Sequence, residues 1–199
     1  MMDCGTWKTF ILLGAIVVTV GAPATAGAQG SGQARAIHAS ISGPTGTMTT
    51  ALADTGTLSG AGDARDASQG TGTIAGLLSG NTLHASAVGS PDTVASEASI
   101  ADVALSVGDN TIGAAFVMAR ALAASKTGSA GAVSINGLSI NGVAIAITGQ
   151  RNQTVPIAGG HVVINEQQTS TTGTSVNALH IIVSGVADVV VASAAASIE

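Results

Sequence analysis

The chain is short of aromatic side chains: it has no Tyr, one Trp and two Phe in 199 residues. It also has a single Cys, four Pro and only 9% charged residues. Trp7, Phe10 and Cys4 all fall in the first 28 residues, so Phe116 is the one aromatic beyond them. A single Phe cannot build the aromatic platform on which many proteins stack sugars. Without Cys the remainder has no disulfide, and burial of Val, Ile, Leu and Ala must hold it together. Arg35, Arg65, Arg120, Lys126 and Arg151 are the only cations after residue 28, against ten carboxylates, and they do not cluster. Binding to nucleic acids or anionic membrane surfaces draws most of its affinity from Lys and Arg, so neither is expected as a partner.

Long apolar runs are also missing, with one exception. Phe10 to Val20 is an apolar run of 11 residues, preceded by Lys8 and followed by Gly21-Ala22-Pro23-Ala24-Thr25-Ala26-Gly27-Ala28. This is the layout of a secretory signal peptide over residues 1–28, with cleavage near Ala26 or Ala28. The run is well short of the ~20 apolar residues of a membrane span. Cys4 precedes the run, so it is not the lipid-modified cysteine of a lipoprotein. Cleavage after Ala28 leaves 171 residues, enough for one domain with a real core and no membrane span. Gln29 to Gln33 reads as a flexible leader, and residues 34–199 as a single β-rich domain.

From there the chain is built of short alternating runs. Val103-Leu105-Val107, Val143-Ile145-Ile147 and Leu179-Ile181-Val183 each alternate with intervening residues, the period of a strand. Asn141-Gly142 is a two-residue hairpin signal, because a type I′ turn needs positive φ at both positions. Asp109-Asn110 and Gly159-Gly160 read as further turns, and Thr169 to Thr174 as a longer loop. Many alternating positions are Ala, Ser or Thr, which bury little area each, so the core needs many strands. The expected fold is an all-β, antiparallel two-layer sandwich of about twelve short strands, with a β-solenoid as the alternative. Gly113 to Ser125 fits a helix by propensity; as a strand it puts Phe116, Met118, Arg120 and Leu122 on one face. Thr73-Ile74-Ala75-Gly76-Leu77, Ser99-Ile100-Ala101-Asp102-Val103 and Ser134-Ile135-Asn136-Gly137-Leu138 share a pattern at unequal spacing. That suggests related hairpins rather than a regular repeat.

Candidate chemistry is sparse. His38, His84, His161 and His180 are scattered singly, without the close spacing of a zinc site. The alternation puts His180 opposite Leu179 and Ile181, with a hydrogen bond to a loop backbone expected. Asn165, Glu166, Gln167, Asn177 and His180 form the densest polar group and read as a structural hydrogen-bond network. A glycoside hydrolase using Glu166 would need a cleft and a second carboxylate, for which Asp188 is nearest in sequence. Asp54, Asp63 and Asp66 in a Gly-rich stretch are candidate Ca2+ ligands. Arg65 lies between two of them, however, and no Asp-x-Asp-x-Asp order appears. No Gly-x-Ser-x-Gly nucleophile elbow occurs after the signal. Lys126, in Ser125-Lys126-Thr127-Gly128, reads as part of an exposed loop.

The later half carries more specific strings: Val163-Ile164-Asn165-Glu166-Gln167, Val176-Asn177-Ala178-Leu179-His180, and Asp188-Val189-Val190-Val191-Ala192-Ser193-Ala194. Upstream are Ala53-Asp54-Thr55-Gly56, Leu83-His84-Ala85-Ser86, Ser96-Glu97-Ala98 and Asn152-Gln153-Thr154. Together, from about Ala34 to Ile198, these resemble the choice-of-anchor family P domain of bacterial secreted and surface proteins. The resemblance implies an extracellular β-rich domain, a strand at Gly113 to Ser125, and no established catalytic residues. The chain lacks a Leu-Pro-any-Thr-Gly sorting string, and Val186 to Glu199 reads as a last strand rather than an anchor.

The sequence thus points to a non-enzymatic, secreted or cell-surface-associated structural protein without a cofactor. A second reading is a binding or adhesion module, or a subunit assembling by edge-strand addition through its C-terminal strand or Gly-rich leader. A third is a hydrolase using Glu166.

Overall fold

The computed structural model describes residues 30–44 and 46–198. The signal segment, both expected cleavage points and Gln29 lie outside the described residues. The strands are β1 (Gly30–Gly43), β2 (Gly46–Asp54), β3 (Ala64–Ile74), β4 (Leu78–Ser90), β5 (Thr93–Val107), β6 (Asn110–Ala124), β7 (Gly128–Asn136), β8 (Ser139–Ile140), β9 (Val143–Ala144), β10 (Gln153–Ile157), β11 (Gly160–Thr169), β12 (Gly173–Val183) and β13 (Ala187–Ile198). Sheet A runs β10-β11-β12-β13-β1-β2; sheet B runs β3-β4-β5-β6-β8-β9, with β7 also paired to β6. The two sheets pack face to face and do not close into a barrel, which is the expected sandwich. Every pairing is antiparallel, unlike the parallel coils of a solenoid.

Several strands are longer than the short runs of the sequence suggest: β5 and β6 have 15 residues each and β1 has 14. The reason is a line across each sheet where the alternation reverses without ending the strand. In sheet A two successive residues point inward at Ile164–Asn165, Ala178–Leu179, Val191–Ala192 and Ala36–Ile37. In sheet B two successive residues point outward at Asn81–Thr82, Ala101–Asp102 and Ala115–Phe116. Positive φ accompanies the reversal on some of these strands, at Asn165 (φ 56), Ala192 (φ 55) and Ala53 (φ 46) on every second strand of sheet A and at Thr82 (φ 48) and Asp102 (φ 51) on the adjacent β4 and β5 of sheet B, while β1, β12 and β6 reverse without it. A single left-handed residue turns the following side chain to the other face while pairing resumes beyond it.

This seam separates a part of the core rich in large aliphatics from one in which Ala and Gly predominate. On one side Ile37, Leu105, Ile112, Ile164, Leu179 and Ile181 are fully buried. On the other side most inward positions are Gly or Ala (Gly30, Gly32, Ala34, Ala85, Ala87, Ala98, Ala119, Ala121, Ala123, Ala194 and Ala196), with Leu83, Val94, Ile100, Val117 and Val176 among them. There the glycines of β1 leave room for a side chain of the opposite sheet: a Cβ on Gly30 would lie 2.5 Å from Val94 Cγ2, and one on Gly32 2.7 Å from Val94 Cγ1.

That close approach corrects the reading of Gln29 to Gln33 as a flexible leader. Gly30 to Gln33 form the start of β1 and pair with Ile198 to Ala195 of β13. Their glycines serve sheet contact, not flexibility. The second correction concerns assembly. Of the two segments expected to add to a neighbour's sheet, the C-terminal strand β13 lies between β12 and β1, and the leader pairs with β13 on one side while the Leu58 N–H donates to its Gly32 carbonyl on the other.

Gly113 to Ala124 falls in β6 and Ser125 in the turn that follows, with no helix. Ala119, Ala121 and Ala123 face the core, and Phe116, Met118, Arg120 and Leu122 face outward. Asn141 (φ 51) and Gly142 (φ 76) form the expected hairpin turn between β8 and β9. Two other turns lie one residue earlier than expected: Val107 pairs with Asn110 and Ile157 with Gly160, leaving Gly108-Asp109 and Ala158-Gly159 as turn residues. The alternation through Val143, Ile145 and Ile147 continues past β9 without forming a strand. Instead, the Gln153 side chain bonds the Thr148 N–H at 2.9 Å and the Ala146 carbonyl at 2.8 Å, in place of a ladder. The three similar pentapeptides are not related hairpins. Their shared fourth position is a left-handed residue in each case, Gly76 (φ 72), Asp102 (φ 51) and Gly137 (φ 66), preceding buried Leu77, Val103 and Leu138.

Candidate functional site

The polar group singled out in the sequence divides in two, because β11 places successive side chains on opposite faces. Asn165 and Gln167 point into the sandwich and are buried; Glu166 points out. Inside, Asn165 Nδ2 donates to the carbonyls of Gln150 at 3.2 Å and Gly149 at 3.4 Å. Its Oδ1 therefore accepts from Gln167 Nε2 at 2.6 Å, which fixes the Gln167 amide and leaves buried Oε1 without a partner. Asn152 Oδ1 accepts from the Gln167 backbone N–H at 2.9 Å. This half of the network pins the segment after β9 to β11.

The outer half gathers on the exposed face of sheet A. The register aligns Glu166 of β11 with Asn177 of β12, and Asn177 with Ser193 of β13. His180 lies beyond the seam in the next outward row, and Asp188 is diagonal to it on β13. Glu166 Oε2 accepts from Asn177 Nδ2 at 2.6 Å and lies 2.9 Å from His180 Nδ1. The other ring nitrogen, Nε2, is 2.9 Å from Asp188 Oδ1. The His180 partners are thus two carboxylates and not the loop backbone expected from sequence. A neutral imidazole donates to only one of them; the imidazolium donates to both. The His180 side chain is 16% exposed and Asp188 53%, so the ring sits between a half-buried acid and a solvated one.

Asp188 was legible as the nearest second carboxylate, but its link to His180 depends on register. The signal was present in Ser184-Gly185-Val186, the turn that sets Ile182 opposite Asp188 and so places His180 one step away.

The three candidate Ca2+ ligands do not converge. Asp54, at the end of β2, takes the Arg35 Nε at 2.8 Å, the Gln33 amide at 3.0 Å and the Gly56 N–H at 2.8 Å. Burial pushes its carboxyl up, but these three donors outweigh it and hold the group below its ordinary value. Asp63 accepts from the Ser59 backbone N–H at 2.7 Å, the Ser59 hydroxyl at 2.8 Å and Arg65 Nε at 3.0 Å, which pull its carboxyl down to about 2. Asp66, on β3, lies 3.3 Å from His84 Nδ1. Each carboxylate already has its own donors. Among the described residues no group of three or more His, Cys, Asp or Glu is arranged to hold a metal ion.

His38 and His161 stand on the same outer face of sheet A, and the register sets His38 opposite Val190 and His161 opposite Ile182. Lys126 lies in the exposed turn between β6 and β7. Arg120 on the outer face of sheet B is paired with Glu97, a contact that the expected face of β6 did not anticipate.

No protein-family model, curated protein or solved structure matches the chain. What the arrangement can do follows from its geometry alone. Acid and base groups are present, but a glycosidase needs its two carboxylates to flank an open space for sugar and water. Here the His180 ring fills the space between Glu166 and Asp188. The larger clefts lie elsewhere. One of about 470 Å³ is on the outer face of sheet B, along Val88, Ala95, Leu122 and Arg120. Another, of about 460 Å³, lies by Ser31, Thr169 and Ser197.

Proposed function

We propose that this chain is an exported, non-enzymatic structural domain of the choice-of-anchor family P type, released outside a bacterial cell. The observation that carries the reading is the placement of His180 between Glu166 and Asp188 on an open sheet face. The side chains best suited to proton transfer are bound to one another, with no cleft between them. The signal-like residues 1–28 support export. Cleavage after either Ala26 or Ala28 leaves β1, which starts at Gly30, intact. Among the described residues no helix is long and apolar enough to cross a membrane. No cofactor enters this reading.

The test is expression of the full chain in a bacterial host, with mass spectrometry of the culture supernatant, envelope and cytosol. The expected product begins at Gly27 or Gln29 and is found in the supernatant. An uncleaved chain confined to the cytosol would overturn export. Hydrolysis of glycoside, ester or peptide substrates by the purified protein, lost in Glu166→Ala, would overturn the non-enzymatic assignment.

A further inference from the structure

The edges of the two sheets differ in how well they are protected. An open edge strand presents unpaired N–H and C=O groups, which proteins blunt with charge, proline, bulges or short length. β10 is five residues long and contains Pro156, and β9 is two residues long. β3 carries Arg65 and Asp66. β7 faces Ile147, Gly149 and Arg151 across a cleft. β2 has no such device: Gly46 to Ala53 (Gly-Thr-Met-Thr-Thr-Ala-Leu-Ala) has no charge and no proline, and its positive-φ residues, Gly46 and Ala53, stand at its two ends. Thr47, Thr49 and Ala51 are exposed, and Met48 is 69% exposed although it faces the inner side beside Ile41.

The backbone pattern of this edge follows from one hydrogen bond. Ser42 donates its N–H to the Val186 carbonyl, on the β13 side of β1. In an antiparallel ladder successive residues bond to opposite sides, so Ile41 and Gly43 bond to β2 through their partners Met48 and Gly46. Thr47, Thr49 and Ala51 therefore turn both backbone groups to the open edge. Such an edge is complementary to itself across a two-fold axis.

We infer that β2 is the docking edge for the β2 strand of a second copy of this chain, joining two copies of sheet A into one continuous sheet. Charge favours a second copy over a charged partner. The chain carries a net charge of −5, and two like copies approach most easily where neither presents an acid. β2 is neutral to Ala53; the neighbouring outward residues of β1 are His38, Ser40 and Ser42; and the nearest carboxylate, Asp54, is held by Arg35. With Thr50 on the axis, Thr49 exchanges hydrogen bonds with Ala51 of the second copy. The exposed Met48 side chain then covers Leu52 of the second copy on the inner face. This inference is independent of where the protein works and of whether it is an enzyme.

The test is sedimentation of the signal-free protein over a wide concentration range, with hydrogen exchange read residue by residue. The mass is expected to double with concentration, and the amides of Thr47, Thr49 and Ala51 to slow together as it does. Thr49→Pro removes an N–H that the single copy does not use, so it should fold normally and stay monomeric. Met48→Lys, at an already exposed position, provides an independent variant with the same expected loss of the dimer. A wild-type protein monomeric at every concentration would overturn the inference. So would a dimer that survives both substitutions, one abolished instead by Leu122→Lys on sheet B, or open-ended species larger than two copies.

Discussion

His180 Nδ1 meets Glu166 Oε2 at 2.9 Å across the line where the alternation of sheet A reverses. Two successive buried residues, Ala178 and Leu179, separate His180 from Asn177, which donates to the same carboxylate oxygen. The outer polar group therefore ties together the two halves of the sheet that the seam divides.

If that tie is structural, its energy should appear as coupling in stability. In a double-mutant cycle, Glu166→Ala and His180→Ala should be non-additive by about 1 kcal/mol, the scale of a partly exposed charged hydrogen bond. Asp188→Ala should couple to His180→Ala less strongly, by about 0.5 kcal/mol or under, because Asp188 is half solvated. Urea unfolding of the four proteins in each cycle measures both. Full additivity of Glu166 and His180 would remove the tie.

The seam also stores backbone strain at an accessible position. Thr82 holds φ 48, is exposed, and is β-branched, the side-chain type that resists the left-handed region most. Asn adopts that region readily without the unfolded-state entropy of Gly. Thr82→Asn should therefore stabilise the fold by about 0.5–1 kcal/mol, visible as a higher urea midpoint at unchanged slope. A lower midpoint would mean that the Thr82 side chain makes a compensating contact.

The same seam explains which features were legible in the sequence. Val103-Leu105-Val107 and Leu179-Ile181-Val183 alternate cleanly on one side of it, so those stretches read as strands and all six residues are buried. A strand that crosses the seam looks like two short runs, so the expected strands came out shorter than the real ones. Glycine was ambiguous in the same way: Gly30 and Gly32 suggest a linker until Val94 of the opposite sheet is placed against them. At the site, Asn165, Glu166 and Gln167 were found as a cluster, but which of them faces out depends on the left-handed φ of Asn165. The His180–Asp188 contact is a cross-strand diagonal, and only the register of β12 on β13 reveals it.

Glycines that serve close approach can be told apart from idle ones by substitution. A Cβ on Gly160 would lie 1.8 Å from the Ile182 carbonyl oxygen, a backbone atom held in the β11–β12 ladder. Gly160→Ala should cost about 3 kcal/mol or more, at the upper end of overpacking penalties, because no flexible side chain can yield. Gly70 on the edge strand β3 has nothing within 4 Å of its would-be Cβ. Gly70→Ala should be neutral or stabilising by about 0.5–1 kcal/mol through loss of unfolded-state entropy. Thermal melts of the two variants side by side should separate them; equal effects would contradict the packing at Gly160.

Acid should expose the Asp63 cluster. The Ser59 N–H and hydroxyl, followed by Arg65, lower the Asp63 carboxyl from 3.8 to about 2 in the folded protein. A carboxyl with a folded value below its unfolded one contributes stability that is fully present above 3.8 and is lost as pH falls through about 2. Asp54 shifts in the same direction and adds to the same acid limb. The stability difference between wild type and Asp63→Asn should therefore hold constant from neutral pH to about 4 and shrink toward zero near pH 2. Urea unfolding across that range measures the difference, and the side-chain carboxyl carbon of Asp63 followed by NMR should titrate with its midpoint near 2. A midpoint at or above 3.8 would mean that Ser59 and Arg65 do not hold the ionised carboxylate in solution.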